Sequence, residues 1–199
     1  MFNSESKNKL LDLLKQNRSY RRFDARVSIP LEEIISWIEA LRYTASVKNA
    51  QPLKYRIVID PVQVGAIFDL VHWAAYLTDW AGPSPEERPT AFVIQVLDRT
   101  ISSSSRFDEG IQLEAFTLMA SEAGYGACIL GAFDQKKLAT LLDLDPEHYI
   151  PNTVVAIGKP IETICIENLS EDRGRDIRYY RTPDKVHHVP KRGINELII

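Results

Sequence analysis

Cysteine and methionine are scarce in this 199-residue chain, with two of each. Cys128 and Cys165 are far apart and form no CxxC pair or clustered zinc spacing, so neither a disulfide framework nor a metal site is expected. Long apolar runs are also missing. No stretch offers 18 or more apolar residues, and the amino-terminal MFNSESKNKLLDLLKQNR is charged where a signal core would be apolar. The expectation is a soluble, cytoplasmic protein with no membrane partner. An excess of basic charge is lacking too: 24 Lys plus Arg against 27 Asp plus Glu leave a net charge of -3, which speaks against a dedicated nucleic-acid binder. Phosphate-loop and nucleophile-elbow patterns are absent, since GYGACILG fits neither GxGxxG nor GxxxxGK[ST] and no GxSxG occurs.

What is present fills one core. A hydrophobic content of 45% suits a single domain over residues 1–199 better than two small ones. Leu10, Leu11, Leu13 and Leu14 mark one helical face, and 30-PLEEIISWIEALRY-43 marks a second helix with Pro30 at its start. Strands are expected at 53–60, 91–98 and 153–158, and in YGACILG. A long helix is expected over 62–80, where His72 reads as a packed imidazole. Another covers 108–124, its inward face running through Ile111, Ala115, Leu118, Met119 and Glu122 until Gly124 ends it. Asp134 suits the cap of a short helix. The tail, 168–199, alternates charge with isolated apolar groups and ends in Leu197, Ile198 and Ile199. It reads either as an arm buried by a second chain or as a tail packed on its own domain.

Three clusters could carry chemistry. Arg18, Ser19 and Arg21 form RSxR, a compact set of donors for phosphate oxygens to which Lys191 and Arg192 could add from the tail; a salt-bridged surface loop is the plainer reading. Ser46, Asn49 and Gln51, with Lys48, could read the edge of a heterocycle or simply satisfy their own loop. Leu130 and Gly131 could line a flat aromatic ligand, or end an ordinary strand. His187 and His188 lack a neighbouring acidic metal motif, and no nucleophile has a visible base.

Taken in order, RSYRRFD at 18–24, SVKNAQP at 46–52, DEGIQLEAFTLMASEAGYGACILG at 108–131, VVAIGKP at 154–160 and HHVPKR at 187–192 resemble the nitroreductase family of FMN-dependent oxidoreductases. The resemblance spans most of the chain. It implies an α+β fold with a central, mainly antiparallel sheet flanked by helices, in an intertwined homodimer with 168–199 as its arm. It further implies FMN at the subunit interface, held by Arg18, Ser19, Arg21, Ser46, Asn49, Gln51, Lys191 and Arg192, with the Leu130 and Gly131 backbone near the reactive ring edge. Hydride would pass from NADH or NADPH through the flavin to a small organic or nitroaromatic acceptor, with no side chain as covalent catalyst. A homodimer that binds FMN or another small ligand without turnover is the alternative. Departures from the family pattern are Asn17 and Ala45, where arginine and proline are common, and Leu130, where some relatives carry an acidic residue.

Overall fold

The computed structural model of the chain describes residues 4–199. Its centre is the strand β5 (Tyr149–Pro160), whose apolar middle, Val154, Val155, Ala156 and Ile157, is entirely buried. On one edge it pairs with β3 (Ala91–Asp98), which pairs in turn with β2 (Leu53–Val58). On the other edge lie β4 (Gly126–Leu130) and, beyond it, the two-residue β1 (Phe23–Asp24). All four pairings are antiparallel.

Because side chains alternate across a strand, each apolar strand feeds both faces of this sheet. Phe92, Ile94, Val96, Cys128, Leu130, Val154 and Ala156 pack under α3 (Pro61–Phe68) and α5 (Gln135–Leu141). Ala91, Val93, Ala127, Val155 and Ile157 pack under α2 (Leu31–Ala40) and α4 (Asp108–Glu122). The result is a helix–sheet–helix sandwich of the α+β class. Helix α1 (Ser4–Gln16) lies beside α4. No helix among the described residues is long and apolar enough to cross a membrane.

Local chemistry sets the ends. Asp60 accepts hydrogen bonds from Val62 and Gln63 N–H at the start of α3, with Pro61 behind it, and Asp134 caps α5 through Lys137 N–H. Gly124, at φ 78°, closes α4: Tyr125 N–H reaches Ala120 C=O while Gly124 N–H reaches Ser121 C=O, the paired bonds of a Schellman turn. That turn delivers the chain directly into β4.

Two sequence expectations are corrected here. The helix over 62–80 stops at Phe68, because the next residues bond to the segment after β4: Val71 bridges Phe133, His72 N–H meets Ala132 C=O, and Asp134 N–H meets Leu70 C=O. His72 is consequently exposed and outside any helix. On α4 the expected face is met in part, with Ala115 and Met119 packed against the core, but its centre is rotated. Ile111 and Glu122 are exposed, while Leu113, Phe116 and Ala120 are buried together with Gln112, Thr117 and Ser121. Polarity misleads because these polar groups find partners inside: Gln112 accepts from the Tyr55 hydroxyl, and Thr117 accepts from Asn17.

The tail folds back as a second, three-stranded sheet. β6 (Ile164–Asn168) runs parallel to β8 (His187–Lys191), which pairs antiparallel with β7 (Tyr180–Arg181).

Candidate functional site

The Arg18 loop leaves α1 and is pinned to the sheet by a bridge between Ser19 and Ala127 and by Tyr20 N–H donating to Ala127 C=O. Asn17 anchors it to α4 by donating to Thr117 Oγ1 at 2.9 Å and to Glu114 Oε1 at 3.3 Å. The resulting cleft, ≈ 150 Å³, is lined by Asn17, Arg18, Ser19, Glu114, Thr117, Ala127 and Ile129. Arg18 donates once, to Leu14 C=O at 2.8 Å, and its Nε is buried with no partner. Among the described residues it makes no ion pair, whereas Ser19 is exposed beside it. The Glu114 carboxylate in the same cleft is an acidic neighbour that works against anion binding.

Arg21 is turned the other way, toward the tail. Its guanidinium donates to Ser19 C=O at 3.1 Å, lies 3.2 Å from His187 Nε2 and stacks over the Tyr179 ring at 4.8 Å. Its backbone N–H donates to the Glu162 carboxylate, which is also paired with Arg181. Since arginine only donates, His187 Nε2 is the acceptor and the ring proton sits on Nδ1, a buried atom without a partner. Burial, followed by the charges of Arg21 and Arg181, depresses the His187 pKa to about 4, so the ring is neutral at pH 7. Glu162, Tyr179, Arg181 and His187 were missed from the sequence. One signal was available: adjacent residues on a strand face opposite ways, so the His187–His188 pair had to place one imidazole inward.

The second predicted cluster is built at the other end of α4. Asp108, buried at the helix start, accepts from Ser46 Oγ at 2.5 Å and from Val47 N–H at 2.9 Å, while Ser46 Oγ accepts from Gln51 N–H. These bonds hold Lys48, Asn49 and Gln51 in the left-handed region, at φ 55°, 54° and 52°. Such backbone is costly for residues with side chains and persists only where the surroundings fix it. Beside this loop is a cleft of ≈ 450 Å³ lined by Lys48, Ser102 to Ser105, Arg106 and Asp108. A β-bulge between Gln95 and Val96 gives β5 an extra residue, Asn152, which donates to Ser105 Oγ and Glu109 and ties the serine loop to α4.

Within one chain the two clusters do not meet. From Asp108 to the Glu114–Thr117 stretch is roughly 9 to 14 Å along the helix axis. Leu130 projects into the core under α3 and α5, so Ile129, its exposed neighbour, faces the Arg18 cleft instead. Gly131 is exposed, with open space where a side chain would stand. Lys191 and Arg192, expected to close over a phosphate, are exposed at the end of β8. They make no hydrogen-bonding or ionic side-chain contact with the Arg18–Arg21 loop among the described residues; that loop is reached instead by Tyr179 and His187.

The model of the nitroreductase family matches residues 14–159, which include both clusters, the whole of α4 and the central strands. The chain belongs to the nitroreductase family. It is 25% identical over 202 residues to YdgI of Bacillus subtilis (strain 168), a protein named as an NAD(P)H nitroreductase, covering 79% of this chain and 97% of the relative. Among solved structures, the nitroreductase family protein of Streptococcus pneumoniae TIGR4 superposes with a TM-score of 0.69 at 14% identity, covering 96% of this chain and 98% of the other. The nitroreductase-like protein of Streptococcus mutans gives 0.66 at 18% identity, over 78% and 91%. CLA-ER, an enone reductase of gut-bacterial fatty acid saturation, gives 0.64 at 20%, over 78% and 90%. At these identities the structural likeness carries the fold: a central antiparallel sheet between helices, in a family of oxidoreductases.

Proposed function

We propose that this nitroreductase-family chain is an FMN-dependent oxidoreductase that takes hydride from NADH or NADPH and passes it to a small organic or nitroaromatic acceptor. The observation that carries the reading is Arg18: a cation without a carboxylate partner, with a buried, unpaired Nε, beside an exposed serine hydroxyl. An unpaired buried donor of this kind favours an anionic ligand oxygen. Arg18 and Ser19 would hold the phosphate, Asn49 and Gln51 would offer amides to a heterocycle edge, and Gly131 leaves room for close approach of a flat ring. FMN, when bound, supplies the hydride-accepting and hydride-donating chemistry. No side chain is needed as a nucleophile, and Cys128 is unsuited to it because burial pushes its thiol up to about 11.

The working unit in this reading is a homodimer. The Arg18 cleft, at ≈ 150 Å³, falls below the several hundred Å³ typical of cofactor pockets, and the amide loop lies roughly 9 to 14 Å away along α4. Apolar side chains lie exposed on α1 (Leu10, Leu11 and Leu14), on α4 (Ile111) and at the carboxyl end (Leu197 to Ile199). A second chain laid along α1 and α4 would cover them and bring the two clusters together. The acceptor stays a class, because one fold hosts many reactions and CLA-ER, with a similar fold, is named an enone reductase.

The test is anaerobic titration of the purified, FMN-loaded protein with NADH and then NADPH, followed by nitroaromatic and enone acceptors. Bleaching of the flavin absorbance and its return on adding acceptor are expected. Bound FMN that neither nicotinamide bleaches supports the non-catalytic alternative, and a folded dimer that takes up no FMN defeats the flavin-dependent reading.

A further inference from the structure

The carboxyl-terminal sheet brings together three side chains of different chemistry, none of them among the residues assigned to the cofactor. β6 and β8 run parallel with Cys165 opposite His188, and Glu167, two residues beyond Cys165, leaves β6 on the same face. One ligand atom from each, the Cys165 thiol, a Glu167 oxygen and a His188 ring nitrogen, lie within 4.8 Å of one another. Their separation along the chain hides this grouping from any motif search.

The surroundings orient the set. His188 Nδ1 lies 3.1 Å from Glu167 Oε2, while its Nε2 lies 3.3 Å from the Thr182 hydroxyl. The Tyr180 ring stacks on the imidazole at 4.6 Å with 10° between planes, which limits its rotation. Arg173 approaches Glu167 Oε1 at 3.7 Å, while Oε2 accepts from the Tyr180 hydroxyl at 3.3 Å and faces His188. A histidine that points one nitrogen at a thiol and a carboxylate, and can donate from the other to a fixed hydroxyl, has the arrangement seen around bound metals.

We propose that Cys165, Glu167 and His188 form a binding site for a divalent cation of borderline softness, of which zinc is the representative. Sulfur, nitrogen and one carboxylate oxygen match zinc better than they match calcium or magnesium, which prefer all-oxygen shells. Binding replaces the His188–Glu167 hydrogen bond, releases the Cys165 thiol proton to solvent and leaves a fourth position for water, because Cys165 is exposed. Thiolate and carboxylate together balance the dication, while Arg173 adds a positive neighbour that tempers affinity. All three ligands belong to 164–191, so the site is complete within one tail and is independent of FMN and of the flavin reading above.

The test uses the full-length chain, stripped with chelator, desalted, and dialysed against zinc chloride. Bound zinc is counted by elemental analysis and the alkylation rate of Cys165 is followed by mass spectrometry; Cys128, buried in the core, does not compete. One zinc per chain and a slowed alkylation of Cys165 are expected, with zinc lost in Cys165→Ser and in His188→Gln. Zinc retained equally by the double variant, or Cys165 alkylated at the same rate with and without zinc in the wild-type chain, overturns the proposal. The second measurement needs no variant and stands even if a substitution disturbs the tail.

Discussion

Arg18 and His187 each keep one buried nitrogen without a partner, and the two have opposite consequences. For Arg18 the remedy is a ligand: Arg18→Ala is expected to weaken FMN binding about 10- to 100-fold, the worth of a charge-assisted hydrogen bond at roughly 1.5–3 kcal/mol. Flavin fluorescence titration measures it, Arg18→Lys should recover part, and unchanged affinity in the alanine variant rules out the phosphate role. For His187 the consequence is acid sensitivity. Its pKa falls from an ordinary 6.5 to about 4 on folding, so the unfolded chain takes the proton first. Stability is fully present above pH 6.5 and drains as pH falls toward 4, by up to about 3 kcal/mol. Denaturant midpoints between pH 7 and pH 4.5 should show this slope, and His187→Gln should flatten it. At this scale the sequence exposed which residues carry charge but not where they point. Arg21 sits in the same RSxR motif as Arg18, yet its partners, Glu162 and His187, come from the far end of the chain.

Two elements depend on glycine where β4 meets its neighbours. A Cβ at Gly126 would stand 2.8 Å from the Tyr20 ring, and one at Gly158 would stand 2.9 Å from Phe23. Gly126→Ala and Gly158→Ala are each expected to cost about 1–3 kcal/mol, visible as lowered melting temperatures, because the first added carbon also meets Pro160 and the second meets the fully buried Phe23. Gly131→Ala meets open space and should melt like the wild type while weakening FMN binding. If it binds FMN normally, close approach of the ring at Gly131 is excluded. Elements defined by local rules were legible: continuous apolar runs located β3 and the core of β5, and Asp134 located the start of α5. The helix expected over 62–80 was not, because what ends it is the Val71–Phe133 bridge, a contact between distant segments that no local pattern encodes. The face of α4 failed in part for a related reason, as Gln112 and Thr117 are buried by virtue of partners elsewhere.

For the whole molecule the decisive question is whether one cofactor site draws on two chains. Arg18→Ala and Asn49→Ala, each impaired alone, should complement when mixed and isolated as a heterodimer: one site becomes whole and FMN binds at about half the wild-type stoichiometry. No recovery would mean that both clusters act from the same chain. The overall architecture was readable from the order of motifs along the chain, whereas the folding back of 164–191 into its own sheet was not, since β6 and β8 meet only through long-range pairing. The central strand has one more consequence. β5 is bonded on both edges along Val154 to Ile157, and Cys128, on β4, faces inward from that seam. A thiol reagent reaches Cys128 only when the core layer between the sheet and helices α3 and α5 opens, while Cys165 stands open from the start. The two native cysteines thus form a built-in timer: in undenatured buffer, the lag between the first and second labelling events reads out how often that core layer opens.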